Sequence, residues 1–242
     1  MSTLEIDNLT AITTNTNVTI KGKGSGKVSL GDGNLLFPDS DGSSGQFIQT
    51  DASGVLSFAT AGGGAWNLID SVTASTSASL TVTGMDATYD QYCIIFSDFD
   101  LDTDNDRMNI RMGDSSGIDS GSSDYAFWAG KINTGSNSTF GGESDQTADY
   151  IEVGAESFGN ATGEGFGGVY WITAPSDSVT FPKITGQWTG FLHNGQGLMG
   201  FTYGKRNSDI TLDRIQIFSG DFGTQTGNIV TGRATLWGIA HA

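Results

Sequence analysis

The sequence predicts an all-β protein: a short, intertwined β shaft followed by an antiparallel β-sandwich domain of jelly-roll-like layout. Three observations lead there. Short runs rich in Val, Ile, Phe, Tyr and Trp recur with turn signals every eight to twelve residues, and no stretch carries a helical period. The 36 glycines among 242 residues are about twice the usual share and follow no three-residue repeat, which favours a turn-rich β protein over collagen. Phe, Tyr and Trp concentrate late: the first 65 residues hold three Phe, no Tyr and no Trp, so the main core belongs to the later part of the chain.

Residues 1–34 read as short β segments with almost no large side chains, among them Leu4-Glu5-Ile6, Val18-Thr19-Ile20 and Val28-Ser29-Leu30. Val, Ile and Leu alternate with Thr, Ser, Asn and Lys, and glycines interrupt them. Such strands bury too little to stand alone, but several chains winding together can share the thin apolar line between them. A disordered Gly/Ser/Thr-rich tail is the alternative. Residues 35–58 repeat the idea with clearer punctuation: strands at Leu35-Leu36-Phe37, Phe47-Ile48-Gln49 and Val55-Leu56-Ser57-Phe58, turns at Pro38–Gly42 and Asp51–Gly54.

Gly45, Ile48, Gln49, Thr50, Asp51, Gly54, Leu56 and Phe58 occupy the places of a Gly-x-x-Leu-Gln-Thr-Asp-x-x-Gly-x-Leu-x-Phe/Trp pattern. With Ile48 in place of the more usual Leu, this stretch resembles the shaft-to-head region of bacteriophage tail fibres and related virion fibre proteins. The resemblance implies a homotrimer wound about one axis, with Ile20, Leu30, Leu36, Phe47, Ile48, Leu56 and Phe58 in the shared shaft core.

The organisation expected is a β shaft and virion attachment segment over 1–58, a glycine-rich linker over 59–65 (ATAGGGA), and a head over 66–242. Trp66–Ile69 opens the head, and Leu80 and Val82 share one face of the next strand. Tyr89–Phe96 is nearly continuous in apolar character, which predicts a central strand. Met108, Ile110 and Met112 alternate with Asn109 and Arg111, as a half-buried strand does. Asp114–Asp124 reads as a loop, Tyr125–Trp128 as a short aromatic strand, and the polar Lys131–Asp149 as a long surface loop. Strands follow at Tyr150–Val153, Phe166–Thr173, Gln187–Leu192 and Gly197–Tyr203, with Pro182 marking an edge or a strand end. Ile210–Phe218 and Val230–Ile239, separated by a Gly/Thr/Asn-rich loop, read as a hairpin that closes the domain.

Ile215-Gln216-Ile217-Phe218 and the closing Gly232–Ile239, with Leu236-Trp237-Gly238-Ile239, also resemble the C-terminal module of many phage tail-fibre and tail-tip proteins. Trp237 stands where Tyr is commoner. The resemblance is sharp only in these last strands.

Lys and Arg total 11 against 27 Asp and Glu, a net charge of -16. That sign repels phosphate backbones and anionic lipid heads, so neither nucleic acid nor membrane insertion is expected, while divalent cations are attracted. Cys93 is the lone cysteine and sits in an apolar run, which marks it as a buried small hydrophobe. The start MSTLEIDNLT lacks a basic, apolar leader, so no secretory signal is expected.

Asp98, Asp100, Asp102, Asp104 and Asp106 alternate with Phe99, Leu101, Thr103 and Asn105. Hard oxygens at this density suit Ca²⁺, and Asp102, Asp104 and Asp106 are the ligands expected if a metal is held. The spacing is not that of an EF-hand, because Arg107 stands where its glycine belongs; an acidic solvated turn is the alternative. Tyr125, Phe127, Trp128, Tyr170, Trp171, Trp188, Phe191 and Tyr203 supply an aromatic set that is mostly core. Trp128 and Trp188, beside Gly-rich turns, are the candidate carbohydrate-binding residues. No Ser-His-Asp, zinc or nucleophile-elbow spacing surrounds His193 or His241, so no enzyme is expected. Paired carboxylates among Glu143, Glu152, Glu156 and Glu164 are the alternative to that expectation.

The resemblance implies a virion structural protein, a trimeric tail fibre or tail-tip component that joins other virion proteins and presents its head to a host-surface glycan or protein. A capsid decoration or fibre-base protein without a receptor is the second reading.

Overall fold

A computed structural model describes residues 29–30, 35–38, 41–51, 53–60, 65–135, 140–173 and 179–240. All described regular structure is β, in several antiparallel sheets, and no described residue is helical. The chain divides between Gly63 and Gly64 into two compact units.

In the first unit, β1 (Ser29–Leu30) pairs with β2 (Leu35–Leu36), and β3 (Gln46–Thr50) with β4 (Leu56–Thr60). The β3–β4 turn shows what the Asp51 and Gly54 spacing does. Asp51 Oδ1 accepts the Ser53 and Val55 amides at 2.7 and 3.0 Å, and Gly54 takes φ 90°, where a Cβ would be strained. Those amides, Ser53's first, hold the Asp51 carboxyl below its usual range. Because β4 runs through Thr60, Ala59 and Thr60 belong to a strand and not to the expected linker. Ile20 and residues 61–64 lie outside the described residues.

The second unit holds two sheets. The larger has eight strands: β5 (Trp66–Thr73), β7 (Gln91–Leu101), β10 (Tyr125–Asn133), β11 (Gly141–Ala148), β13 (Phe166–Thr173), β14 (Lys183–Phe191), β15 (Gly197–Arg206) and β18 (Ile229–Ile239). Their order is β11-β10-β15-β14-β13-β7-β18-β5. The smaller is built on the β8 (Met108–Asp114) and β16 (Arg214–Asp221) pair. β8 also pairs with β9 (Gly117–Ile118) and β12 (Ile151–Glu152), and β16 with β6 (Ser79–Thr83) and β17 (Thr224–Gln225).

One buried cluster draws side chains from both sheets: Ile94, Phe96, Tyr170 and Trp188 from the larger, Ile110, Met112, Ile215 and Ile217 from the smaller. Glycine makes room for the aromatics. A Cβ at Gly186 would run into the Tyr170 ring, and one at Gly200 into the Trp188 ring. The buried Tyr170 hydroxyl donates to the Val153 carbonyl, so the ring packs against one sheet while its polar end is satisfied elsewhere.

Two expectations are corrected here. Ile210–Phe218 and Val230–Ile239 do not form a hairpin: β16 lies in the smaller sheet between β8 and β6, and β18 in the larger between β7 and β5. Each strand already has a partner on both edges, so neither leaves an edge free for the other. Lys131–Asp149 is not one long loop either. β10 continues to Asn133, and β11 is an edge strand pairing only with β10. Its Gly, Ser, Asp, Glu and Thr suit a strand with one open edge.

Candidate functional site

Inward positions of the large sheet are taken by core residues, and the alternate positions build an outer face. Two rows cross it in register. The first runs Ser144, Trp128, Tyr203, Thr185, Trp171, Cys93, Trp237 and Leu68 from β11 to β5. The second runs Phe201, Gln187, Val169, Ile95, Thr235 and Ser71. Neither row holds a charged residue, in a chain of net charge -16. Trp128, Phe201, Tyr203, Val169, Trp66 and Leu68 are exposed on it, Leu68 at 59%. Trp66 packs edge-on against Trp171 and Trp237, at 5.5 and 6.3 Å between ring centroids. Cys93, between those two tryptophans, is fully buried, and burial pushes its thiol up to about 11. It behaves as a small apolar residue and not as a nucleophile.

At the Asp98 end of this face a cleft of ≈ 1100 Å³ opens, lined among others by Asp98, Asp100, Glu164, Phe191, Ile132 and Met199. A smaller depression of ≈ 740 Å³ over Val169, Gln187 and Phe201 adjoins it, sharing Gly167, Thr189 and Met199.

The sequence-predicted site residues fall in different places. Trp128 is 40% exposed on the outer face, stacked on Phe140 at 5.7 Å. Trp188 is corrected as a sugar ligand: it is 2% exposed, edge-on to Phe158 at 5.8 Å, and presents no ring face to solvent. Of the wider aromatic set, Tyr125, Phe127 and Tyr170 are buried with it, while Trp171, Phe191 and Tyr203 join Trp128 outside. Phe47 and Ile48 are exposed on β3, and Leu56 and Phe58 are half-buried. Leu30 and Leu36 lie in β1 and β2.

Asp102, Asp104 and Asp106 are not gathered into one ligand set. Asp102 receives the Asn228 amide and side chain at 2.8 and 2.6 Å, which tie the loop before β8 to the start of β18 and hold its carboxyl below the usual range. Asp106 is buried and accepts from Ser219 Oγ at 2.6 Å, Thr226 Oγ1 at 2.9 Å and the Arg107 amide at 3.0 Å. Asp104 is exposed. Among the described residues no three acidic, His or Cys side chains form a metal-holding group.

Sequence reasoning missed one buried ion network. Arg107 Nη1 donates to Glu143 Oε2 at 2.5 Å and Glu152 Oε1 at 2.8 Å, with the Phe222 ring 4.5 Å from the guanidinium. Lys131 pairs with Glu156 nearby. Glu152 is fully buried, and that burial outweighs Arg107 and raises its carboxyl to about 8. Two glutamates on one arginine have the layout of an acid–base pair, yet neither of the two openings described above is lined by Glu152. A small opening lined by Tyr150 and Phe222 is likewise lined by neither glutamate. The network instead joins β8, β11 and β12. Glu143 and Glu152 give no sequence signal for this, because the contact spans 36 and 45 residues.

No described helix is long and apolar enough to cross a membrane. No protein-family model, curated protein or solved structure matches the chain.

Proposed function

We propose that this protein is a structural subunit of a virion, a homotrimeric tail fibre or tail-tip component. Residues 1–58 form the intertwined shaft that attaches to other virion proteins, and the following unit is a jelly-roll-like sandwich head that meets the host surface. The copies pack through the outer face of the large sheet. That face is the observation that carries the reading: one uncharged row crosses all eight strands and a second crosses six, the longer about 34 Å at ~4.8 Å per strand. Soluble monomers rarely expose large apolar patches, and a face carrying exposed Trp66, Leu68, Trp128, Val169, Phe201 and Tyr203 without a charge in either row has the character of an association surface. Second copies are the occupants that fit, because two strongly acidic chains can approach only where neither presents charge.

The first unit supports the same reading. Phe47 and Ile48 are consecutive in a strand, so they point to opposite faces, and both are nearly half exposed, at 46% and 47%. A hairpin apolar on both faces gains stability when other chains cover it. The viral part of the proposal rests on the sequence resemblance around Gly45–Phe58 and Gly232–Ile239.

Electron cryo-microscopy of the purified full-length protein tests the arrangement. Three-fold particles with Phe201 and Tyr203 at the contacts are expected. Particles without three-fold symmetry, or with these residues on the outside, contradict it. A head that fails to adsorb to any host cell points to the capsid or fibre-base role instead.

A further inference from the structure

We infer that the cleft at the Asp98 end of the outer face is a saccharide site selective for neutral or amino sugars, a reading that gives the host attachment proposed above its ligand class and rests on that proposal only for its biological setting. At ≈ 1100 Å³ the cleft is slightly larger than the usual range for small-molecule sites, ~300–1,000 Å³, which leaves room for more than one sugar ring. Its lining joins three carboxylates, Asp98, Asp100 and Glu164, to three apolar side chains, Phe191, Ile132 and Met199. Among the described residues no Lys, Arg or His lines it. Carboxylates accept hydrogen bonds from hydroxyl or ammonium groups, and an apolar wall receives the C–H face of a pyranose ring. The same carboxylates repel sialylated or phosphorylated glycans.

Backbone geometry assembles this lining. Tyr92, Ile94 and Phe96 of β7 point into the core, and strict alternation would send Asp98 and Asp100 after them. Asp98 instead adopts φ 55°, a left-handed conformation that strains a non-glycine residue. The register with β18 shifts at the same place, between Thr231↔Asp100 and Arg233↔Ser97. This bulge reverses the alternation. Phe99 and Leu101 take the core positions, at 0% and 3% exposure, and Asp98 and Asp100 line the cleft. A sheet needing only a core strand could do without the bulge, and such strain collects at functional sites.

Asp100 Oδ1 is the second pointer. It is buried yet has no hydrogen-bond partner among the described residues. An unpaired buried acceptor is costly, and turning this carboxylate toward the cleft would let a ligand hydroxyl or ammonium satisfy it. Glu164 commits Oε2 to the Ala161 amide at 2.9 Å, which fixes the loop before β13 on the cleft wall.

Saturation-transfer NMR on the full-length protein tests the site with four probes: maltotriose, chitotriose, the glucosamine trimer and 3′-sialyllactose. Transfer to at least one of the first three and none to sialyllactose is expected. Asp100→Asn and Phe191→Ala should each weaken that binding about tenfold or more, Phe222→Ala, outside the cleft, should leave it unchanged, and Trp128→Ala reads the competing ring on the outer face. Phe191 is 42% exposed, so its variant folds even where Asp100→Asn does not. Transfer to none of the first three, equal transfer to sialyllactose, or binding lost with Trp128 and kept in both cleft variants overturns the site. Light scattering on the same samples reads assembly separately: a trimer that binds no sugar refutes the cleft alone, and a monomer that binds one refutes the assembly alone.

Discussion

Trp128 of β10 stands directly opposite Tyr203 of β15, and the two side chains are 40% and 39% exposed. A cross-strand aromatic pair is a common stabiliser of a sheet face. Here it begins a row that reaches Leu68 at the far edge without meeting a charge. The inner face of the same sheet is already committed to the core. On the assembly proposed above, the uncharged outer row is where another copy makes contact.

Replacing Phe201 and Tyr203 together with Glu places two charges in the middle of that face. Both residues are exposed, at 43% and 39%, so the monomer's melting temperature should change little while association is lost. Native mass spectrometry of the double variant should find single chains. An unchanged oligomer would move the contact surface elsewhere.

Gly186→Ala tests the packing of the core. The added methyl would overlap the Tyr170 ring, whose hydroxyl is anchored on Val153, so the ring has no easy retreat. A loss of about 1–3 kcal/mol is expected in urea denaturation. A neutral substitution would mean that Tyr170 can move.

Asp106 accepts three hydrogen bonds in a buried site, and Asp106→Ala strands the Ser219 and Thr226 hydroxyls. The expected cost is ~1–3 kcal/mol. Since Asp102 and Asp106 serve as local hydrogen-bond acceptors, EDTA should leave the thermal midpoint unchanged. A rise of several degrees on adding calcium would contradict that assignment.

Glu152 gives stability a pH dependence of known sign. Burial raises its carboxyl from the ordinary 4.5 to about 8, so between those values the folded protein holds a proton that the unfolded chain releases. Its contribution is therefore complete below about pH 4.5 and falls as pH rises through about 8. The Glu152→Gln variant should lose this decline, seen by comparing melting temperatures at either end of the interval. Parallel profiles for the two proteins would remove Glu152 as its source.

Individual strands were legible because alternation shows burial locally. Phe166–Thr173 is bounded in the structure as the sequence predicts, and Tyr89–Phe96 lies within or beside a strand flanked on both edges. Pairing was not legible. β16 and β18 are neighbours in sequence but lie in different sheets, since nothing local tells a strand which edge will receive it. Trp128 and Trp188 share Gly-rich surroundings yet face opposite ways. The signal that separates them is period two: Lys183, Thr185, Gln187 and Thr189 mark the outer face of β14, which leaves Trp188 with Ile184 inside. The outer rows and the cleft exist only after the strands are ordered, because their residues come from strands far apart in the chain.

The position of β18 gives a further test. It lies between β7 and β5 and supplies Ile229, Ala234 and Leu236 to the core, so a chain ending at Thr226 should not melt cooperatively. Calorimetry showing one sharp transition in that product would contradict the role assigned to the strand.

The central claim is that the uncharged outer face is where copies meet, and the mass of the full-length protein in solution tests it most directly. Multi-angle light scattering should give about three times the 25.3 kDa of one chain, and the Phe201/Tyr203 double Glu variant one chain's mass. A wild-type protein that stays at 25.3 kDa across the accessible concentration range would contradict the account.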